Sequence, residues 1–270
     1  MNGKENLINE AKSALFDAMS ALGPHRNSVI LVGAQAVYQH TGNINIAMAE
    51  YIRDSDLVLD VSTLVDEPKI SYLLKTAGFY QAIGANPGAW LNSRGIPVDL
   101  MTPFTFTGGG SRAADISPHM KETARRTPGL EAAIVDNKIM EIQSLEVDTP
   151  ALWMKVAGPA ALMIAKAHKI FDRRSNTSRL EDKDALDIYR LLVATEANDL
   201  IPVFKRLLSD PSTRATAVDG VGYLNEIFIL GEEPIGVVMV ARALDGLEGA
   251  TVAARAVSIL MSEILVALDI

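Results

Sequence analysis

The stretch Arg53-Asp54-Ser55-Asp56-Leu57-Val58-Leu59-Asp60 places two carboxylates one residue apart at the start of an apolar run. The apolar run predicts a β-strand, and because strand residues alternate between faces, Asp54 and Asp56 would point the same way. Two adjacent carboxylates repel each other and raise each other's pKa unless a cation lies between them. A hard divalent ion such as Mg²⁺, which takes oxygen ligands, is the natural cation here. The pair therefore predicts a metal site.

A third carboxylate interrupts another short apolar run. Asp99 lies within Ile96-Pro97-Val98-Asp99-Leu100-Met101, which predicts a short strand. A charge inside such a run is costly unless it is paired or binds an ion. Asp99 is therefore either a further metal ligand or an aspartate that faces water at a sheet edge. The segment that follows is locally basic, which is typical of a solvated face: Arg112, Lys121, Arg125 and Arg126.

A glycine turn precedes these strands in the chain. Ser28-Val29-Ile30-Leu31-Val32 predicts an apolar strand, and Gly33-Ala34-Gln35-Ala36-Val37-Tyr38 predicts a tight turn that enters a helix. Glycine allows close backbone approach, and the free N–H groups at a helix N-terminus can bind a phosphate. Taken alone, the segment also fits a plain strand-to-helix turn.

Strand signals fade after about residue 149, and the rest of the sequence is mostly typical of helices. Lys166 and Lys169 lie at helical spacing on one predicted helix. Asp184 and Asp187 share a face of the next predicted helix. A basic face and an acidic face on adjacent helices could form a structural ion-pair network.

Composition limits the classes of function. The chain has 270 residues, 49% hydrophobic and 21% charged, which is ordinary for a globular protein of one or two domains. Because it has no cysteine, disulfides, thiolate metal sites and a cysteine nucleophile are excluded. The net charge of −8 requires any nucleic-acid binding to use a local basic surface. No uncharged apolar stretch reaches about 18 residues and no signal peptide is evident, so we expect no membrane span and a cytoplasmic location.

The order of these motifs resembles the nucleotidyltransferase superfamily, which shares the palm of DNA polymerase β. In that superfamily an apolar strand ends in glycine and a small residue, an Asp-x-Asp pair follows on a second strand, and one more carboxylate lies on a third. Gly33 matches the first position, Asp54 and Asp56 match the pair, and Asp99 matches the last carboxylate.

More narrowly, the chain looks like the AbiEii-type branch of that superfamily, which includes bacterial abortive-infection and toxin–antitoxin transferases. The branch adds a lysine-bearing helix and then the pattern Asp-x-x-Asp-hydrophobic-Tyr-x-Leu-Leu. Ala165-Lys166-Ala167-His168-Lys169 resembles the former, and Asp184-Ala185-Leu186-Asp187-Ile188-Tyr189-Arg190-Leu191-Leu192 resembles the latter. The resemblance spans roughly residues 28–193.

The resemblance implies an α+β fold: a nucleotidyltransferase-like mixed β-sheet with flanking helices over residues 1–148, followed by a helical C-terminal domain over residues 149–270. It implies transfer of a nucleotide from a nucleoside triphosphate to a hydroxyl acceptor, with Mg²⁺ as cofactor. The acceptor would be RNA such as tRNA, a protein or a small molecule. As the toxin of a toxin–antitoxin pair, the chain would also have an antitoxin protein as partner.

The resemblance also implies which residues carry the chemistry. The three strand carboxylates would be the metal ligands: Asp54, Asp56 and Asp99. The catalytic set adds a lysine and a helical aspartate to them: Asp54, Asp56, Asp99, Lys166 and Asp184. The nucleotide-binding set consists of the turn and two lysines: Gly33, Ala34, Gln35, Lys166 and Lys169.

The turn departs from the family pattern at two positions. Ala34 stands where the family usually has glycine or serine, and Gln35 stands where it has a small hydroxyl residue. Ala34 lacks the hydroxyl that helps to hold the triphosphate, although its backbone N–H remains. The alternative function is therefore a catalytically weak or inactive nucleotide-binding module of the same fold.

Overall fold

The computed structural model of the chain describes residues 3–42, 44, 52–108, 112–144, 150–247 and 249–270. The chain divides into two compact units, one formed by residues 1–36 with 50–157 and the other by residues 37–49 with 158–270. The sequence predicts a domain boundary between residues 148 and 149, and both of these residues lie outside the described ones.

The first unit combines a β-sheet with flanking helices. Its helices are α1 (Gly3–Leu22), α2 (Gly33–Thr41, which continues into the second unit from residue 37), α3 (Ile70–Thr76) and α4 (Glu131–Val135). Its strands are β1 (Val29–Val32), β2 (Ser55–Leu59), β3 (Ala89–Leu91), β4 (Pro97–Pro103), β5 (Arg125–Thr127), β6 (Asn137–Ile142) and β7 (Leu152–Ala157). A 3₁₀ turn over Gly23–Ser28 joins α1 to β1.

The seven strands form one mixed sheet in the order β3-β4-β2-β1-β7-β6, and β5 also pairs with β4. Strand β1 runs antiparallel to β2 and parallel to β7, whereas β2 and β4 are parallel to each other. The pairings of β3 with β4 and of β6 with β7 are antiparallel. The prediction of a mixed sheet with flanking helices is therefore confirmed at the level of fold class.

Helix α1 covers one face of the sheet. The helix is amphipathic, and three apolar residues at helical spacing, Ala11, Leu15 and Met19, are all buried. The hydroxyl of Ser55 at the start of β2 donates a hydrogen bond of 2.9 Å to the carbonyl of Ala11, which places Ser55 on the α1 side. Because strand residues alternate, the neighbouring Asp56 lies on the opposite face.

Strand β7 corrects the prediction that the chain is helical from residue 149 onward. Its burial alternates, with Trp153 61% exposed between buried neighbours, as expected for a strand with one open face. Its parallel pairing with β1 and its antiparallel pairing with β6 place it inside the sheet. The first unit therefore continues to Ala157, beyond the predicted boundary.

In the second unit, residues 158–247 and 249–270 form helices joined by turns, with no strand among them. Its helices are α5 (Pro159–Arg173), α6 (Asp182–Ala194), α7 (Ala197–Ser209), α8 (Arg214–Phe228), α9 (Ile235–Ala243) and α10 (Ala250–Ala267). Helix α5 packs against α6 and α8, and α10 packs against α6, α7, α8 and α9. By length and composition alone, α10 is the one helix of the described chain that could cross a membrane. A helical C-terminal region is confirmed.

Candidate functional site

Asp56 and Asp99 lie side by side on neighbouring parallel strands. In the pairing of β2 with β4 their Cα atoms are register partners, so both side chains project from the same face. That face is the one opposite to α1, and both residues are half-buried. Strand β4 has β2 on one side and β3 and β5 on the other, so Asp99 does not lie at a sheet edge.

Asp54 immediately precedes β2, and a buried glutamine fixes its backbone. The Nε2 atom of Gln35 donates hydrogen bonds to the carbonyl of Asp54, at 2.9 Å, and to the hydroxyl of Ser55, at 2.8 Å. Gln35 is only 8% exposed, so its amide is committed to joining α2 to β2. Sequence reasoning assigns Gln35 to the nucleotide, whereas the structure shows it supporting the carboxylate strand.

Gly33 brings the start of α2 directly against Asp56. Its φ of +68° is a left-handed conformation that side chains disfavour. A Cβ atom built on Gly33 would overlap the Asp56 carboxylate, so a larger residue would displace either the turn or the carboxylate. Because residue 33 is a glycine, α2 can begin beside the negative charge of Asp56, with its first N–H groups, including that of Ala34, close to it.

Arg125 is the residue that sequence reasoning missed. Its guanidinium forms an ion pair of 2.8 Å with the Asp99 carboxylate, and both side chains are largely buried. Burial works against a charged guanidinium, but the hydrogen bond and the charge of Asp99 raise the pKa of Arg125. The negative charges of Asp56 and Asp54 raise it further. All three predicted carboxylates therefore act on one arginine.

The pairing of β5 with β4 delivers Arg125 to this position. Met101 is the register partner of Arg125 and lies two residues after Asp99, so the three side chains share a face. The close approach depends on Gly88, whose φ is +77°. A Cβ atom on Gly88 would lie 2.8 Å from the backbone nitrogen of Arg125 and would overlap a carbonyl of β4.

The basic segment is only partly the solvated face that its composition indicates. Arg126 follows that expectation best, since its guanidinium lies 3.9 Å from the ring centroid of Phe104 and donates to the carbonyl of the same residue. For Arg125 the expectation is wrong. The available signal was the buried charge of Asp99, which needs a cation that the chain itself can supply.

In the second unit, two aspartates of α6 enclose Lys166 of α5. The Lys166 Nζ atom lies 3.0 Å from Asp184 and 2.6 Å from Asp187, and all three residues are buried. The Lys169 Nζ atom lies 2.8 Å from Asp184 and 2.9 Å from Glu181. The ion-pair network that helical spacing suggests is therefore present.

The charges of this network are mutually stabilised. Burial works against charged Lys166, but the charges of Asp187 and Asp184 raise its pKa. Burial likewise opposes charge on Asp184, but Lys166 and Lys169 lower its pKa to about 2. Lys166 is consequently charged and already neutralised by two carboxylates. Lys169, with 33% of its side chain exposed, is the lysine of this group that can meet a ligand.

Acid should destabilise the second unit as Asp184 gains a proton. Because the pKa of Asp184 is lower in the folded state than its ordinary value of 3.8, this carboxylate stabilises the fold fully at pH values above 3.8. The stabilisation is lost as the pH falls from 3.8 toward 2. We expect the urea midpoint of the far-UV circular dichroism signal to fall over this window, by the equivalent of roughly 2 kcal/mol. In Lys169→Met, which removes one cation that lowers this pKa, the loss should shrink. A loss of unchanged size would contradict the assignment.

The three strand carboxylates supply only oxygen donors, the ligand type that Mg²⁺ takes. Among the described residues, no group of three or more histidine, aspartate or glutamate side chains is arranged to hold one metal ion. Only the type of donor fits Mg²⁺, and an ion held by Asp99 would compete with Arg125 for that carboxylate.

The predicted site residues thus form one group in each unit. The first unit gathers the strand carboxylates with the glycine turn, and the second gathers the two lysines with Asp184. Relationship to the nucleotidyltransferases rests on these motifs and their placement, and it stays a prediction. No protein-family model matches the sequence, and neither a curated protein nor a solved structure matches it.

Proposed function

We propose that the chain is a Mg²⁺-dependent nucleotidyltransferase that moves a nucleotide from a nucleoside triphosphate to a hydroxyl acceptor and releases pyrophosphate. The observation that carries the proposal is the register of Asp56 with Asp99, with Asp54 two residues earlier and a helix starting at Gly33 against Asp56. Phosphoryl transfer asks mainly for positioning and charge stabilisation, which carboxylates beside helix N–H groups can supply.

Each residue of the first unit has a role in this proposal. Asp54, Asp56 and Asp99 would hold Mg²⁺, which when bound stabilises the attacking and leaving oxygens. Alternatively, Asp99 would act as the base that accepts the proton of the incoming hydroxyl. The N–H groups that follow Gly33 would donate to phosphate oxygens, as helix N-termini do for anions.

Within the second unit, the resemblance assigns Lys166 and Lys169 to the negative charge of the nucleotide. Of the two, Lys169 keeps a third of its side chain exposed and is the one that an anion can reach. Lys166 and Asp184 are buried against each other, so they would position Lys169 and hold α5 to α6 rather than touch the ligand. This division differs from the expectation that Lys166 itself meets the triphosphate.

The test is a transfer assay on the full chain. Labelled nucleoside triphosphates, Mg²⁺ and a panel of acceptors that includes tRNA, protein and small hydroxyl compounds are incubated with the protein. The proposal expects label on an acceptor, release of pyrophosphate, and loss of both when the ion is chelated. Growth arrest on expression, together with this activity, would identify the toxin of a toxin–antitoxin pair. Absence of transfer to every acceptor would count against an enzyme.

A second function, a catalytically weak nucleotide-binding module of the same fold, is favoured by one observation. Arg125 already forms an ion pair with Asp99, and the negative charges of Asp54 and Asp56 also stabilise its positive charge. A cation built into the cluster would compete with a divalent ion for the same carboxylates. Gln35, whose amide is bonded to the strand, adds no ligand for phosphate.

Replacing Arg125 should show whether this arginine competes with the ion for the carboxylates, as the second function requires. We expect Arg125→Gln to bind Mg²⁺ at least about tenfold more tightly than the wild-type chain, because one positive charge leaves the carboxylate cluster. Isothermal titration calorimetry with Mg²⁺ alone measures this. The matched control is Arg126→Gln, since the neighbouring arginine contacts Phe104 and should leave Mg²⁺ affinity unchanged. Equal affinities in Arg125→Gln and wild type would show that Arg125 does not compete with the ion.

A further inference from the structure

Helix α10 carries an apolar stripe that its own unit leaves exposed. Val252, Ile259 and Val266 are 71%, 69% and 69% exposed, although they belong to an 18-residue helix whose opposite side is buried. They recur every seven residues and so lie along one line of the helix surface. Such a row of exposed aliphatic side chains, spaced about 10 Å apart on one helix face, is a candidate interaction surface.

The charges on this stripe are arranged symmetrically about Ile259. Arg255 lies four residues before Ile259, and Glu263 lies four residues after it. Val252 and Val266 are likewise seven residues before and after it. Both charged residues are exposed, and neither forms an ion pair among the described residues. If a second copy of the helix runs in the opposite direction, each valine therefore faces a valine and each arginine faces a glutamate.

We propose that α10 pairs with α10 of a second copy of this chain, antiparallel and with the two-fold axis at Ile259. With the two-fold axis at Ile259, a residue a given number of positions before Ile259 lies level with the residue of the other copy that is the same number of positions after it. Val252 then meets Val266 of the other copy at both ends. Arg255 meets Glu263 of the other copy twice, about 6 Å along the helix on either side of the axis.

The charges select this direction over the parallel one. In a parallel pair at the same height, Arg255 would face Arg255 and Glu263 would face Glu263, and like charges across an interface repel. The antiparallel pair instead forms two ion pairs around an apolar centre, which is the usual layout of an interface with a polar rim. Because the stripe is only one helix wide, we expect a concentration-dependent dimer rather than a permanent one.

The test measures the mass of the full chain by light scattering after gel filtration, over a wide range of protein concentration. The wild-type mass should rise from 29.0 kDa toward twice that value. Ile259→Asp should remain monomeric. Arg255→Glu and Glu263→Arg should each raise the dissociation constant roughly tenfold, since each creates two repulsive pairs. The double variant R255E/E263R should return to within about threefold of wild type, because it restores both attractions in reverse.

Val218→Asp is the matched control, because Val218 is a 53% exposed valine on α8 outside the stripe, and its mass should follow that of the wild type. Unchanged circular dichroism in each variant shows that the fold is kept. The proposal would be overturned if the wild-type chain stays monomeric or if the dimer survives Ile259→Asp. It would also be overturned if R255E/E263R has a higher dissociation constant than both single variants. Binding of the wild-type monomer to phosphatidylcholine vesicles that Ile259→Asp abolishes would overturn it as well and would assign the stripe to a lipid surface.

Discussion

Replacing Lys166 by methionine should lower the free energy of unfolding of the second unit by about 3–5 kcal/mol. Lys166 is the buried cation between Asp184 and Asp187, and its removal leaves Asp187 without the positive charge that lies 2.6 Å away. An uncompensated buried carboxylate costs more than the ion pair contributes, because desolvation is no longer offset. Urea unfolding followed by far-UV circular dichroism measures the effect on the helices.

The two tryptophans, Trp90 and Trp153, both belong to the first unit, so their fluorescence provides an internal comparison. It should change little in Lys166→Met while the helical signal unfolds at lower urea. Lys183→Met is the control, because Lys183 is a partly exposed lysine that lies 3.5 Å from Glu181, and such surface pairs contribute about 1 kcal/mol or less. Adding Asp187→Leu to Lys166→Met should recover part of the loss. Equal effects of Lys166→Met and Lys183→Met would contradict the role of a buried charge.

Replacing Asp56 by asparagine should reduce nucleotide transfer by roughly 1,000-fold, because the negative charge that would hold Mg²⁺ against the triphosphate is removed. Asparagine has nearly the same shape, so the fit against Gly33 and the register with Asp99 should persist. The measurement is the initial rate of label transfer at saturating Mg²⁺, with circular dichroism to show that the fold is kept.

Asp60→Asn is the matched control at the other end of the same strand. The Asp60 carboxylate accepts hydrogen bonds from the backbone and the hydroxyl of Ser62, and an asparagine oxygen can accept them as well. Transfer by this variant should stay close to that of the wild type. If Asp56→Asn kept transfer within about tenfold of the Asp60→Asn rate, the strand carboxylates would not be the catalytic site.

Much of the fold follows from local patterns in the sequence. The apolar run of β1 and the turn at Gly33 are properties of short segments, and both are found where they are predicted. Strand β7 is not predicted in the same way, because Lys155 interrupts its apolar residues and a long helix follows it directly. Its pairing with β1 is non-local, and only that pairing makes it part of the sheet.

The candidate site shows the same limit at the level of single side chains. Helical spacing was enough to place Lys166 opposite Asp184, because the two helices are consecutive in the chain. By contrast, Arg125 reaches Asp99 only through the register of β5 with β4 and the close approach at Gly88. Neither of these is visible in residue type or spacing.

The arginine among the strand carboxylates also bears on how the chain reaches its native state. Three aspartates around Arg125 carry a net charge of minus two instead of minus three, so the worst repulsion is relieved by the polypeptide itself. Folding of the first unit then has no obligatory link to the supply of divalent ions, unlike small domains whose metal is part of the fold. If the chain is the proposed nucleotidyltransferase, a newly made copy would be able to fold at any magnesium level and take up the ion only afterwards.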